Sequence, residues 1–287
     1  MHALIITKRC ISLYRTSQWI HILGLPMLGF IYNSTPPLSA IPLLLTLVIG
    51  SLYLAHGYAV NDLFDTMVKY RNSPSQFYRE KGISSRTALL FCYAPFFINL
   101  IIVNLLSQKV LWLVISGWVL SYIYSAPPVR LKSRPPFDLI INSMGFSILF
   151  LIGYGAHNTP DLNSLLMAGL FFILFLPLQL IHEITHLKQD QSENTTTVAA
   201  RYGVKTAISL IFIFLIAFIL WSFLLWTRGI SMYIPLLSLI FALYITVYLK
   251  TYGNDFSKVF SGNVRMHVRF ISIIYGIGMS IIFLFNR

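Results

Sequence analysis

Charged side chains are scarce in this sequence. Only 10% of the 287 residues are Asp, Glu, Lys or Arg, whereas a soluble domain has about 25%. Hydrophobic residues account for 56% of the chain and lie in long uninterrupted blocks. This composition argues against a soluble globular protein and predicts an all-α, polytopic membrane protein. No change in composition marks off a soluble domain, so residues 1–287 are expected to form a single membrane domain.

Cysteine and acidic residues are also few. Cys10 and Cys92 form no CxxC motif and no plausible disulfide framework. The nine acidic residues are outnumbered by 21 Lys and Arg, which gives a net charge of +12. In a membrane protein this excess is typical of loops that face anionic headgroups, so we expect membrane lipids, and not nucleic acid, as partners. The first apolar run is too short for a cleavable signal peptide, so the first span is expected to anchor the protein.

Nine segments are apolar enough to cross a membrane, each of which needs about 17 to 25 residues. They cover residues 18–34, 39–60, 88–106, 109–126, 137–156, 163–187, 206–226, 231–250 and 268–286. If the N-terminus is cytoplasmic, all but three of the 21 Lys and Arg lie on the inner side, the exceptions being Lys109, Arg228 and Arg287. This positive-inside bias predicts a multi-pass protein of a bacterial cytoplasmic membrane, with its site facing the cytoplasm.

Two segments share a pattern of potential ligands. NDLFDTMVK (Asn61–Lys69) follows the second predicted span, and HEITHLKQD (His182–Asp190) ends the sixth, so both lie at the cytoplasmic face. In a helix the carboxylates of the first segment lie on one face, and so do the ligands of the second. Helix C-terminal ends favour cations, and carboxylate and amide oxygens suit Mg²⁺ shared with a phosphate group. The expected metal ligands are Asn61, Asp62, Asp65, Glu183, His186 and Asp190.

At these residues the chain resembles the UbiA superfamily of intramembrane prenyltransferases. NDLFD is similar to the family's first motif, and HEITHLKQDQSENTTTVAARYG (His182–Gly203) is similar to the second motif and its tail. YSAPPVRLKSR (Tyr124–Arg134) is similar to the family's signature after its fourth helix, and YRTSQW (Tyr14–Trp19) to its opening region. The resemblance implies nine membrane helices around a central cavity that binds Mg²⁺ and a prenyl diphosphate donor.

The resemblance also implies roles for individual residues. The donor would ionise, and its prenyl group would pass to a lipophilic, aromatic acceptor within the membrane. Aromatic rings of the cavity would stabilise the allylic cation, and His186 would bind metal, bond the diphosphate or act as a base. The expected catalytic residues are Asp65, Tyr124 and His186. The expected substrate-binding residues are Arg15, Lys69, Arg71, Tyr124, Arg130, Lys132 and His182.

The sequence departs from the family pattern at three acidic positions, which hold Lys69, His182 and His186. These changes leave other reactions open, namely terpene cyclisation, transfer of another phosphate-activated group, or lipid binding without catalysis. HEITH also matches the HExxH pattern of zinc proteases, in which two histidines one turn apart bind the metal and the glutamate activates water. That alternative needs a third ligand, for which Asp138 is the candidate, and it leaves the other motifs unexplained.

Overall fold

Helices form the fold throughout the part of the chain that a computed structural model describes, which comprises residues 11–33, 38–69, 83–192, 195–252 and 262–285. These ranges contain no β-strand, and nine of their helices have ten or more residues. In chain order they are α1 (Gly24–Asn33), α2 (Ala40–Lys69), α3 (Ser85–Val103), α4 (Gln108–Ser125), α5 (Phe137–Tyr154), α6 (Leu162–Ser192), α7 (Val198–Thr227), α8 (Tyr233–Tyr252) and α9 (Gly262–Phe285). The predicted all-α class is confirmed.

Seven of these nine helices are long and apolar enough to cross a membrane. The other two are α1, which has only ten residues, and α4, whose 18 residues begin with Gln108 and Lys109. The first predicted span is divided, because a short helix at Thr16–Trp19 and a 3-10 helix at Ile20–Leu23 precede α1. Nine spans and a cytoplasmic N-terminus therefore stay predictions.

Two helices extend beyond the predicted spans. Helix α2 continues to Lys69 and α6 continues to Ser192. Both ligand segments are therefore fully helical, and residues three, four and seven apart in them share a face. The ligand side chains of both segments are therefore held by continuous helix backbone.

Large apolar side chains are exposed on the outer surface of several helices. Leu220 of α7, Val247 of α8 and Phe270 of α9 each expose about three fifths of their surface. A contiguous apolar exterior of this kind is typical of a surface that contacts lipid. The outer faces of α7, α8 and α9 thus have the chemistry of a bilayer-embedded protein.

Helices α1 and α5 approach each other closely at two glycines. A Cβ atom at Gly29 would collide with the backbone carbonyl of Phe150, and one at Gly153 would collide with that of Pro26. Small residues allow helix backbones to pack this closely in membranes, where dispersion contacts are a main source of helix association. The pair fixes α1 against α5.

Helix α7 changes direction near its start. Gly203 has φ of +82° and ψ of 164°, a conformation that is not helical and that L side chains rarely adopt. Glycine has no Cβ and adopts positive φ without strain. The predicted second-motif tail therefore ends at a kink, and the turn before Gly203 is separated from the rest of α7.

Candidate active site

A cavity of about 1470 Å³ lies among helices α1, α2, α4, α5, α6 and α9. Every predicted site residue whose side chain the structure describes lines this cavity. These residues are Arg15, Asn61, Asp62, Asp65, Tyr124, Arg130, Lys132, His182, Glu183, His186 and Asp190. The predicted residue Arg71 lies outside the described part of the chain, and so does the side chain of Lys69. Residues from four separate segments thus meet at one cavity, and their individual roles stay predictions.

Asp62 is paired with Arg15 through two contacts. Arg15 Nη2 lies 2.7 Å from Asp62 Oδ1, and Nε donates to Oδ2 at 3.0 Å. Arg15 has φ of +49° and stands between two short helices, so its backbone turns sharply at this point. Paired donors of a guanidinium match both oxygens of a carboxylate, which makes such a contact strong and directional. Arg15 therefore joins the N-terminal segment to α2.

Asp65 lies one helical turn after Asp62 and contacts two other cations. Arg130 Nη2 donates to Asp65 Oδ1 at 2.9 Å, and Lys132 Nζ donates to the same oxygen. Asn61 stands beside them, donating to Asp65 Oδ2 at 3.1 Å and accepting from Lys132 at 2.7 Å. The basic loop after α4 is thereby held against the first ligand segment.

Loop geometry places these two cations. Arg130 has φ of +40° and precedes a 3-10 helix at Leu131–Ser133, which directs Lys132 inward. Ser125, the last residue of α4, donates to Asn61 Oδ1 at 3.2 Å. Burial lowers the pKa of Lys132 from its usual value, and the Asp65 carboxylate opposes that effect.

Positive charge exceeds negative charge in the ion-pair cluster around the first ligand segment. Two carboxylates, Asp62 and Asp65, are bonded to three cations, Arg15, Arg130 and Lys132. An excess of positive charge in a cavity with low-dielectric walls attracts anions. The arrangement suits a phosphate-bearing ligand.

The second ligand segment brings two histidines to the same cavity. The rings of His182 and His186 have centroids 4.5 Å apart, and His186 Nδ1 lies 3.1 Å from Gln189 Oε1. Asp190, one turn after His186, accepts from Thr197 Oγ1 at 3.4 Å. His186 and Asp190 thus face the cavity that the first segment also lines.

Glu183 has a different environment from its neighbours. Only 2% of its surface is exposed, and Oε2 accepts from Ala199 N at 3.2 Å. Asp138 of α5, 1% exposed, accepts from Val198 N at 2.8 Å. The first N–H groups of a helix have no partner within the helix, so carboxyl oxygens that accept from them satisfy these donors. Asp138 and Glu183 together cap α7.

Sequence reasoning missed this capping and one further polar contact. Asn142 Nδ2 donates to Gln179 Oε1 at 2.5 Å across the cavity. Each of the two residues lies four positions from one of the capping carboxylates, Asn142 after Asp138 and Gln179 before Glu183. A single amide in an otherwise apolar span indicates a buried polar contact. The sequence does not show, however, that Asn142 of α5 pairs with Gln179 of α6.

The donor chemistry of the first segment fits Mg²⁺. Asn61, Asp62 and Asp65 supply oxygen atoms on one face of α2, which is the ligand type that Mg²⁺ prefers. In the described ranges no group of three or more His, Cys, Asp or Glu side chains converges to hold a metal ion. The carboxylate oxygens are bonded instead to side-chain cations, which an incoming phosphate could attract away. The zinc-protease alternative needs Asp138 and Glu183, and both are engaged at the start of α7.

Comparison with known proteins identifies similar chains. The profile of the UbiA prenyltransferase family matches residues 22–267. A lycopene elongase/hydratase of Corynebacterium glutamicum is 32% identical over 177 residues, which cover 57% of this chain and 59% of that protein. A digeranylgeranylglyceryl phosphate synthase of Methanosphaera stadtmanae is 27% identical over 235 residues, which cover 80% of each chain. The match with the corynebacterial protein thus spans about three fifths of that relative's length.

Solved structures share the fold. A UbiA homologue from Archaeoglobus fulgidus bound to GPP and Mg²⁺ superposes with a TM-score of 0.73 at 18% identity, covering 94% of this chain and 99% of that one. A digeranylgeranylglyceryl phosphate synthase structure superposes with a TM-score of 0.73 at 16% identity, covering 99% of both chains. At these identities the likeness extends to the helical architecture alone.

Proposed function

Because the chain belongs to the UbiA prenyltransferase family, we propose that it transfers a prenyl group from a prenyl diphosphate to a lipophilic acceptor within the membrane. The observation that carries this proposal is the cation excess around Asp62 and Asp65 at a large cavity with many apolar side chains. The polar side would hold the diphosphate, and the apolar walls would hold the isoprenoid tail.

The diphosphate would be bound by the cations that now contact the two aspartates. Arg15, Arg130 and Lys132 would turn from carboxylate to phosphate oxygens, which are equally good acceptors for charged donors. Asn61, Asp62 and Asp65 would then be available to hold Mg²⁺, with Asp190 and His186 facing them from the second segment. When bound there, Mg²⁺ would neutralise charge that develops on the diphosphate as it leaves.

Ionisation breaks the bond between the allylic carbon and the diphosphate oxygen. Both electrons of that bond leave with the diphosphate, where Arg130 and Lys132 would stabilise them and Tyr124 would donate a hydrogen bond. The positive charge remains on the prenyl carbon. Phe146 and Phe175, which stack with centroids 4.2 Å apart on the cavity wall, offer aromatic faces to such a cation.

The acceptor then forms the new bond and loses a proton. His186 is a candidate to receive that proton, because imidazole exchanges protons near neutral pH and this side chain faces the cavity. By their names, relatives act on lycopene or form a glyceryl phosphate lipid. The proposal accordingly specifies a lipophilic acceptor, and the aromatic one stays a sequence-based expectation.

The test uses the full chain in lipid nanodiscs with isotope-labelled geranyl diphosphate, a lipid extract as acceptor source, and Mg²⁺. Labelled lipid product and diphosphate should form together, and Asp62→Asn and Asp65→Asn should each abolish both. Asp161→Asn is the matched control, because Asp161 lies outside the cavity and the same chemical change there should leave both products at the wild-type level. Undiminished transfer in both cavity variants would refute the proposal.

A further inference from the structure

A second, much smaller cavity lies between helices α2, α3 and α4. Its volume is about 10 Å³, which is close to the least that holds one water molecule. His56 of α2, Asn99 of α3 and Trp118 of α4 line it. His56 and Asn99 are 4% and 1% exposed, so these polar side chains are removed from solvent. The cavity is separate from the ligand segments and plays no part in the proposed transfer.

Three buried polar atoms at this cavity have no hydrogen-bond partner among the described residues. They are His56 Nε2, Asn99 Oδ1 and Trp118 Nε1. Other polar atoms of the first two residues are satisfied, since His56 Nδ1 lies 2.9 Å from the carbonyl of Cys92 and Asn99 Nδ2 donates to Ile49 O at 3.1 Å. Buried polar atoms without partners are rare in folded proteins because desolvation leaves them at a free-energy cost. Three from three helices at one cavity therefore point to a shared ligand.

The contacts on each side chain determine what that ligand must offer. A carbonyl oxygen only accepts, so His56 Nδ1 carries the proton and Nε2 of the neutral ring accepts. Asn99 Nδ2 is fixed by its carbonyl partner, so Oδ1 is the free acceptor. Trp118 Nε1 is always a donor. The ligand must therefore donate twice and accept once, and a water molecule does both.

The two rings do not bond one another, since neither His56 Nε2 nor Trp118 Nε1 has a partner in the described part of the chain. The centroids of His56 and Trp118 are 6.3 Å apart, and the indole is held by stacking on Phe96, with centroids at 4.6 Å and an interplanar angle of 20°. No acidic side chain lines the cavity among the described residues. A metal ion is thus unsuited, because the indole N–H would face it and no carboxylate would balance its charge.

We infer that this cavity binds one ordered water molecule, which donates to His56 Nε2 and Asn99 Oδ1 and accepts from Trp118 Nε1. The water connects α2, α3 and α4 where no direct polar contact among these three side chains does so. Tyr53 and Ser121 line both this cavity and the large one, so they form a wall between them. The water is structural and is shielded from the donor cavity.

A double-mutant cycle tests whether one ligand joins the side chains. Trp118→Phe removes the indole N–H, and Asn99→Leu removes the amide acceptor. Each should lower the midpoint of thermal unfolding in nanodiscs, and the double variant should lose clearly less than the two losses added, because either change alone releases the shared water. Trp118→Phe combined with Trp112→Phe, at a side chain 69% exposed on α4, should be additive.

Direct observation completes the test. A structure at a resolution that shows ordered water should contain a density peak within hydrogen-bond distance of all three atoms, and the peak should be absent in Trp118→Phe. Well-ordered side chains with no peak in the wild-type protein, or additive losses for Trp118→Phe and Asn99→Leu, would overturn the inference. Neither measurement depends on prenyl transfer, so the water site and the proposed function are tested separately.

Discussion

Arg15 and Asp62 form a two-point ion pair, with 2.7 Å between Nη2 and Oδ1 and 3.0 Å between Nε and Oδ2. The pair spans the gap between the N-terminal segment and α2, and it occupies both oxygens of a predicted metal ligand. Donor binding in the proposed mechanism exchanges this carboxylate partner for a phosphate. The contact therefore predicts a specific effect of Arg15 on donor affinity.

Arg15→Gln should raise the KM for the prenyl diphosphate by about 10- to 100-fold, which corresponds to a charge-assisted hydrogen bond of about 1.5–3 kcal/mol. The turnover number should change less, since Arg15 binds the donor before and after ionisation. Steady-state kinetics of diphosphate release at saturating Mg²⁺ measures both. Arg228→Gln, at a position outside the cavity, is the control, and an unchanged donor KM in Arg15→Gln would contradict the assignment.

Glu183 and Asp190 are expected to differ in how strongly they affect the Mg²⁺ dependence of activity. Glu183→Gln keeps an oxygen that can accept from Ala199 N, so the Mg²⁺ concentration for half-maximal activity should stay within about threefold of wild type. Asp190→Asn, which removes a carboxylate facing the cavity, should raise that concentration about tenfold or more. A titration of activity against Mg²⁺ distinguishes them, and the reverse ranking would assign the metal to Glu183.

Asp138→Ala should lower the thermal midpoint, because it leaves Val198 N buried without its acceptor. The expected loss is about 1–3 kcal/mol. Thermal unfolding followed by circular dichroism in nanodiscs measures it, with Asp138→Asn as the variant that retains an acceptor oxygen. Equal losses in the two variants would show that the carboxyl oxygen at Val198 does not provide the stability.

Asp161 predicts a pH dependence of stability at the start of α6. Asp161 Oδ1 accepts from Ser164 N at 2.8 Å. Desolvation raises the pKa of Asp161, but hydrogen bonds from Ser164 and Tyr154 outweigh it and the net pKa lies below the usual 3.8. Because the folded-state pKa is depressed, this stabilisation is present above pH 3.8 and is lost as pH falls through the folded-state value.

Asp161→Ala should therefore cost about 1 kcal/mol of helix-cap stability near neutral pH. The difference from wild type should shrink as the pH falls below 3.8. Chemical unfolding at a series of pH values gives this difference directly. A difference that stays constant through the acid range would show that the charge of Asp161 contributes nothing.

Gly153→Ala should destabilise the contact between α1 and α5. The added methyl group would meet the carbonyl of Pro26, which belongs to a helix backbone and cannot rotate away. Overpacking of this kind costs about 1–3 kcal/mol. Gly24→Ala is the matched control, because no atom outside its own stretch of helix lies within 4 Å of the added Cβ. Thermal unfolding compares them, and equal midpoints would show that α1 and α5 separate at little cost.

Much of the site could be predicted because its residues lie at helical spacing in regular segments. Asp62 and Asp65 share a face of α2 by periodicity alone, and the apolar blocks predict the helices that carry them. The loop signature placed Arg130 and Lys132 among the candidates. Periodicity does not predict which groups pair across the fold, such as Arg15 with Asp62, because contacts between distant segments depend on how the helices pack.

Glu183 illustrates that limit. Its spacing from His186 and Asp190 predicts one ligand face, and its role as a metal ligand stays a prediction. The structure adds that one of its oxygens accepts from an N–H group at the start of α7. Thr197 caps the same helix locally, since its hydroxyl accepts from Ala200 N. The two additional carboxylate caps come from α5 and α6, and no local pattern encodes them.

The kink at Gly203 has a mechanical consequence. The turn before it is bonded to Asp138 and Glu183 on neighbouring helices, whereas the long remainder of α7 presents apolar side chains such as Leu220 to its surroundings. If the bilayer thins or thickens, the long part can tilt by bending the chain at Gly203. We expect the turn before Gly203 to keep its position when the long part tilts, because hydrogen bonds to α5 and α6 hold that turn.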